Sequence, residues 1–328
     1  MGNTGIISHP FNADNLSKLK RLMASSSFLW SDEQLIDYIA EYLTNGKEKQ
    51  LFIEENNKFV GCNLFMSTKA YINNKMEVVR WSHSTYLMNE YRKKYGLDLI
   101  LKTYEYKNIF GFGLTGINNQ IHKYLGSRFL NPSVAYVMTV NDSKYNHLPN
   151  IRNNTFKIGS NIFKKINCAG EIVYPHNGIW NGLKMNVDFV RDEDFVHRRF
   201  FKSPNNYTIY SISTPFSHDR LYFVTRIRKV KGEMCLFLVD YRFSIDDGEA
   251  FYIIVSALEV IAKVHKIHTC YLFSTLEHSL SSSGLNIKEY GEKCQIVTNI
   301  KSLVQTNVFV TPADSDCELI PFDKNEDK

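Results

Sequence analysis

The chain has 328 residues, 44% of them hydrophobic and 13% aromatic, with a net charge of +5. That length exceeds one ordinary core and predicts two domains of about 150 residues each, and the apolar content excludes a disordered chain. Its basic residues fall in short clusters, at 92–94, 198–202 and 226–231, interrupted by acids, which excludes a continuous nucleic-acid stripe and favours small anionic ligands as partners.

Six cysteines, at 62, 168, 235, 270, 294 and 317, stand apart with no CxxC pair, so no metal site is expected. The opening MGNTGIISHPFNADN lacks the basic-then-apolar order of a signal peptide, and MGNTGI only loosely matches a myristoylation site. The longest apolar stretch, Ala250 to Ala262, contains Glu259 and is too short to span a bilayer. The expectation is a cytoplasmic protein with no nucleic-acid or membrane partner.

In chain order, Ser31 with Gln34 three residues on reads as a capping box opening a helix to about Tyr42, stopped by Asn45-Gly46. Gln50–Glu54 and Phe59–Met66 are strand-like runs joined by Glu55-Asn56-Asn57-Lys58, a hairpin signal. A turn at Asn73-Asn74 leads into a strand over Glu77–Met88. Then come a basic loop, Tyr91-Arg92-Lys93-Lys94-Tyr95-Gly96-Leu97, a helix from Asp98 to about Lys107, a strand Ile109–Thr115 and a short helix Asn118–Leu125.

Residues 140–190 turn polar, with Asn153-Asn154 and Pro175-His176-Asn177-Gly178 as turn markers, although Ile151–Ile166 could include a helix. Beyond them the order of the first half recurs. Tyr207–Ile212, Leu221–Arg228 and Met234–Phe243 read as strands, Gly248–Val264 as a helix, Thr269–Phe273 as a strand, and a helical segment ends at Ser283-Gly284. This predicts an α/β chain of two similar domains, 1–145 and 186–328, each a mixed β-sheet flanked by helices, with a linker over 146–185.

The basic loop offers backbone N–H groups and cations at a helix N-terminus, a seat for a phosphate or pyrophosphate. A solvated turn before a capped helix is the competing reading. Downstream lie Gly111-Phe112-Gly113-Leu114-Thr115-Gly116-Ile117-Asn118, Tyr124-Leu125-Gly126 and Phe129. Together these segments resemble the acetyl-CoA-binding core of the GNAT acyltransferase superfamily, with Lys93 at the Q/R position and Gly96 at the first glycine of its Q/R-x-x-G-x-G/A loop. Asp98 departs from the second glycine or alanine. His122 stands four residues before Gly126, where the family has tyrosine, and Tyr124 lies two residues further on.

The segments Arg191–Phe195, Arg198–Phe200, Pro204, Tyr207 and Ala313–Asp316 extend the resemblance to two-domain sugar-nucleotide N-acyltransferases that act on dTDP-linked 3-amino-3,6-dideoxyhexoses. Each half is then a GNAT-like domain, and the co-substrate is an acyl-CoA, the acyl group being acetyl or a short hydroxyacyl such as 3-hydroxybutyryl. The resemblance implies that backbone groups near Tyr86, Leu87 and Met88 hold pantetheine. Lys93, Lys94, Tyr95, Gly96, Leu97 and Asn118 complete the CoA site. His83 is the candidate base, against a bland reading as one of a side-chain row with Trp81 and Thr85. Tyr124 or His122 would protonate the thiolate, with core packing as the alternative. Trp30, Arg80, Trp81, Ser84, Asp314 and Asp316 are the candidate acceptor contacts.

The acidic Ser244–Glu249 entrance to the second long helix disfavours a second pyrophosphate site. The rival readings are a FemAB-like or protein N-acyltransferase and a non-catalytic module that senses CoA or scaffolds other enzymes.

Overall fold

The computed structural model describes residues 5–10, 13–25, 49–112, 116–140, 154–172, 179–180, 183–184, 186–203, 205–215, 221–230, 232–242, 249–275, 286–291, 293–303 and 308–314. The helix read over Ser31–Tyr42 and the segment ending at Ser283-Gly284 lie outside them.

The first half runs β1 (Gly5–Pro10), α1 (Ala13–Ala24), β2 (Lys49–Glu55), β3 (Lys58–Ile72), β4 (Lys75–Leu87), α2 (Arg92–Tyr104), β5 (Ile109–Phe112), α3 (Gly116–Tyr124) and β6 (Arg128–Phe129). Two asparagine pairs make its hairpins. Asn56 and Asn57 have φ of 50° and 61°, and Asn73 and Asn74 have 49° and 66°. Left-handed backbone at both central residues matches the twist of the flanking strands, and asparagine tolerates it.

After this come β7 (Val134–Thr139), β8 (Thr155–Ile158), β9 (Asn161–Ile166), the short pair β10 (Ile179–Trp180) and β11 (Leu183–Lys184), and β12 (Val187–Phe189). The second half continues with α4 (Glu193–Val196) and a π-helix (His197–Phe201), then β13 (Tyr207–Ser213), β14 (Leu221–Val230), β15 (Glu233–Arg242), α5 (Glu249–Val264) and β16 (Thr269–Ser274). It closes with β17 (Ile287–Glu289), β18 (Ile296–Thr298) and β19 (Val308–Phe309). Among the described residues these strands form a nine-stranded sheet, an eight-stranded sheet and the separate β10–β11 pair.

The two large sheets are built alike. In the first, β3 and β4 pair antiparallel, β4 and β5 pair parallel across α2, and an antiparallel strand flanks β5. In the second, β14 and β15 pair antiparallel, β15 and β16 pair parallel across α5, and an antiparallel strand flanks β16. Each central antiparallel pair also carries a register shift, near Cys62/Leu64 in one and Val224/Thr225 in the other. The repeat read from element order is therefore geometric as well.

The closing strands are exchanged. β7, which follows the first half, pairs with β16 of the second sheet, and β18, which follows the second half, pairs with β5 of the first. β12 and β19 also join the first sheet, through β3 and through each other. The expected linear division at 145 and 185 accordingly differs from the sheets. The span read as a linker holds β8 and β9, strands of the second sheet, where a helix over Ile151–Ile166 was the alternative. Phe156 and Phe163 enter one core and Ile166, an odd number of residues on, enters the core on the opposite face, as the two faces of strands require.

Candidate active site

Sequence places an apolar strand, a basic segment and a helix in succession, and the fold gathers them at a bulge in the first sheet. The parallel ladder between β4 and the described part of β5 pairs Arg80 with Ile109, Trp81 with Phe110 and Ser82 with Gly111. β4 runs on past these residues to Leu87. On its other side, Cys62 pairs with Tyr86 and Leu64 with His83, so Ser84 and Thr85 together oppose Asn63. This is a β-bulge, which bends a strand and re-aims its backbone groups. It lies just past Ser82 and just before Leu87, close to the start of α2.

Gly61 allows the strand to close after the bulge. A Cβ there would lie 2.5 Å from Leu87 Cδ1 and 3.1 Å from the Tyr86 carbonyl oxygen. Leu87 is buried against Ile53 and Leu99, and its carbonyl accepts a hydrogen bond from Arg92 Nε at 3.1 Å. Tyr86 and Met88 are half-buried, and the Met88 N–H donates to Val60 O at 3.0 Å.

The basic segment is helix rather than loop. A 3-10 turn over Asn89–Tyr91 runs directly into α2, which begins at Arg92. Arg92, Lys93 and Lys94 thus form the first turn of α2, exposed at its N-terminal end, where the helix dipole favours an anion. Sequence reading placed the helix start at Asp98 because Gly96 looks like a breaker. Gly96 instead sits inside the helix, where a glycine is destabilising by about 1 kcal/mol relative to alanine. A Cβ on it would meet only Leu87 Cδ2, at 4.0 Å, so nothing in the protein itself requires a glycine here. Asp98 is exposed and lies roughly 200° around the helix from Gly96, on the outer face.

Tyr91 and Tyr95 flank this turn with ring centroids 6.3 Å apart, and Lys94 Nζ lies 4.6 Å from the Tyr95 ring centroid. A hydrogen bond to Glu55 raises the Tyr91 pKa, and one to Tyr95 raises that of Lys94, so both stay protonated near neutrality. Leu97 is exposed.

His83 and Ser84 are described by backbone alone, and the roles read for their side chains lie outside the described residues, as do those of Trp30 and Asp316. Cys62, paired with Tyr86 across the bulge, is fully buried, and burial pushes its thiol up to about 12. Such a thiol is no nucleophile at neutral pH.

On α3, Asn118 and Asn119 are half-buried, and Asn119 Oδ1 is enclosed without a hydrogen-bond partner. The two residues read as thiolate donors part company. Tyr124 is 88% exposed at the end of α3. His122 Nδ1 meets the Tyr104 hydroxyl, which also bonds Ser127, tying the last turn of α2 to α3. Tyr104 and Ser127 were missed by the sequence reading. Burial lowers the His122 pKa to about 4 and raises that of Tyr104, so the imidazole is neutral and the phenol protonated near pH 7. Because the unfolded histidine binds a proton below about 6.5 and the folded one does not, stability falls as pH drops from 6.5 to about 4. In His122→Gln that part of the pH dependence of the melting temperature should disappear. An unchanged profile would assign it to other groups.

Two acceptor candidates are enclosed. Trp81 is fully buried, its ring 5.3 Å from those of Phe110 and Phe189, so it is a core residue with no face toward a ligand. Asp314 is 2% exposed and ion-paired with Arg191 at 2.6 Å. It also borders a small cavity lined by Met66, Ser67 and Thr68 of β3 and by Phe195, Arg198 and Arg199. Arg80 turns its guanidinium over the Tyr106 ring, at 5.5 Å, beyond the C-terminal end of α2. The missed member here is Arg191, whose neighbours come from well-separated segments of the second half. It pairs with Asp240 at 2.9 Å, and Asp240 accepts further bonds from Tyr222 and Thr311.

No protein-family model and no curated protein matches the sequence. Solved structures do match in shape. A GCN5-related N-acetyltransferase from Anabaena variabilis superposes with a TM-score of 0.55 at 12% identity, over 89% of this chain and 72% of that one. Saccharomyces cerevisiae N-myristoyltransferase, with bound myristoyl-CoA and inhibitors, gives 0.58 at 9% identity, over 89% and 79%. A GCN5-related N-acetyltransferase from Kribbella flavida gives 0.52 at 9% identity, over 89% and 71%. The fold is GNAT, built twice. At these identities the likeness establishes the tandem GNAT fold alone. Among the described residues no cluster of His, Cys, Asp or Glu is arranged to hold a metal ion, and no helix is long and apolar enough to cross a membrane.

Proposed function

We propose that this tandem GNAT chain is an acyl-CoA-dependent N-acyltransferase whose donor site lies at the bulged end of β4, beside the first turns of α2. One observation carries the reading: Gly96 lies in the first turns of α2 where the fold has no use for a glycine, behind three cations and beside the bulged strand. A CoA pyrophosphate drawn close to the helix backbone supplies that use. Backbone groups of Tyr86, Leu87 and Met88, other than the Met88 N–H held by Val60 and the Leu87 carbonyl held by Arg92, are proposed for pantetheine, and Lys93, Lys94, Tyr95, Gly96, Leu97 and Asn118 for the rest of CoA.

The reaction is direct attack of a neutral amine on the thioester carbonyl. A C–N bond forms, the C–S bond breaks, the amine proton passes to a base and the thiolate takes up a proton. His83 is proposed as the base. A neutral His122 already engaged by Tyr104 is a poor acid, which favours solvent or the Tyr104 hydroxyl as the source of the thiolate proton. For the acceptor, the sequence resemblance supports a dTDP-linked 3-amino-3,6-dideoxyhexose, in surface-polysaccharide synthesis in the cytoplasm.

A peptide or protein amine is the second reading, favoured by the likeness to N-myristoyltransferase along 89% of the chain. The test has two parts. Coenzyme A at a hundred times its Kd should stabilise the protein against heat by about 2.7 kcal/mol. Gly96→Phe should abolish that protection, whereas Gly96→Ala should raise the melting temperature of the free protein. No protection of the wild type would remove CoA from the function. Mass spectrometry of acyl-CoAs mixed with dTDP- and UDP-amino sugars or with peptides then identifies the acceptor, and His83→Gln in that assay should lose the pH dependence of kcat.

A further inference from the structure

Asn63 interrupts an otherwise apolar run on β3 and is 1% exposed. It stands opposite the bulge, between Cys62, which pairs with Tyr86, and Leu64, which pairs with His83. Its side chain works in two directions. Nδ2 donates to Thr103 Oγ1 at 2.6 Å, and Oδ1 accepts from Ser82 Oγ at 2.9 Å. The Thr103 hydroxyl passes its own proton to the Leu99 carbonyl at 2.9 Å, which closes the chain on α2. Ser82 of β4 pairs with Gly111 of β5. One buried amide therefore joins the bulged stretch of β4 to the helix whose first turn carries the cations.

We infer that Asn63 is a positioning residue for the donor site, setting the seat of α2 on the bulged β3–β4 pair through Ser82 and Thr103. The inference rests on the acyl-CoA reading above. Its physical basis is directional. Apolar residues between α2 and β3 would pack at several registers, whereas a chain of donors and acceptors has one geometry in which every member is satisfied. Each such bond adds only about 1 kcal/mol of net stability, so its main effect is on geometry. An aspartate at position 63 could not donate to Thr103, which accounts for the amide.

The test measures the Kd of coenzyme A by calorimetry alongside the melting temperature of the free protein. Thr103→Val removes the hydroxyl and keeps the shape, and should raise the Kd about tenfold. Thr103→Ser keeps the hydroxyl and should restore the wild-type Kd, a rescue that loss of packing alone would not show. Combining Asn63→Leu with Thr103→Val should weaken binding no further than Asn63→Leu, because both act on one network. A wild-type Kd in Thr103→Val, or equal Kd values for the serine and valine variants, overturns the inference while leaving the acyl-CoA reading intact. If the wild type itself does not bind coenzyme A, the acyl-CoA reading falls and this inference falls with it. Should Asn63→Leu fail to fold, the Thr103 pair decides alone.

Discussion

Arg191→Met should destabilise the folded chain by about 3–5 kcal/mol, the range for removing one partner of a buried ion pair. Arg191 is 1% exposed and pairs with two carboxylates, Asp240 at 2.9 Å and Asp314 at 2.6 Å. It also lies over the Phe195 ring, at 4.4 Å. Methionine fills much of the volume but leaves both acids buried without it. Arg242, at 3.2 Å from Asp240, relieves one of them only in part. Burial works to raise the Asp240 pKa, and Arg191 and Arg242 override it, holding the carboxylate below its usual range. In the variant burial acts with less opposition, so Asp240 takes up a proton at a higher pH. The stability difference between wild type and variant should therefore shrink as pH is lowered from 7 toward 4.5. Thermal unfolding across that range checks it, and a gap independent of pH would show that lost packing, not stranded charge, is responsible. Arg191→Lys should fall between the two, since an ammonium cannot serve both acids with the fork of a guanidinium.

The elements with strong local signals were legible in the sequence. The turns of both asparagine-pair hairpins, β13 to β15, α5 and β16 lie within a residue or two of the runs that predict them, because turn chemistry and periodicity are local properties, whereas β3 runs on to Ile72, six residues past the run read to Met66. Gly96 was found for its residue type and misplaced in structure, since a helix tolerates one glycine when its neighbours pack. Long-range placement was not legible. Trp81 reads like a ligand-stacking ring, and only the fold shows Phe110 and Phe189 closed around it. Asn63 does leave a local trace, one polar residue in the buried stretch Phe59–Met66 of β3, and its meaning depends on a bulge that no pattern announces. Arg191 looks like one charge in an Arg-Asp-Glu-Asp run, yet its partners sit 49 residues or more away in sequence.

A fragment covering residues 1–145 should not fold by itself, and its failure follows from the exchanged strands. Without the second half, β5 loses β18 from its edge and β3 loses β12. The core of the first sheet loses Val187, Phe189, Ile296, Ile300, Leu303, Val308 and Val310. At about 1.5–3 kcal/mol for each buried side chain, their removal is as large as the whole stability of a typical domain, about 5–15 kcal/mol. The fragment would also carry β7 without β16, exposing Val134, Tyr136 and Met138 on a strand with no partner. An edge of that kind templates aggregation. The complementary fragment 146–328 fares no better, because β7 lies between β16 and β17 in the second sheet. Circular dichroism on heating should show no cooperative transition for either fragment, and mixing the two should restore one. A fragment 1–145 that melts cooperatively and binds coenzyme A would mean that the first sheet closes without the exchange. Cooperative melting only of the mixture would make the donor site a product of both halves, although its named residues all come from one.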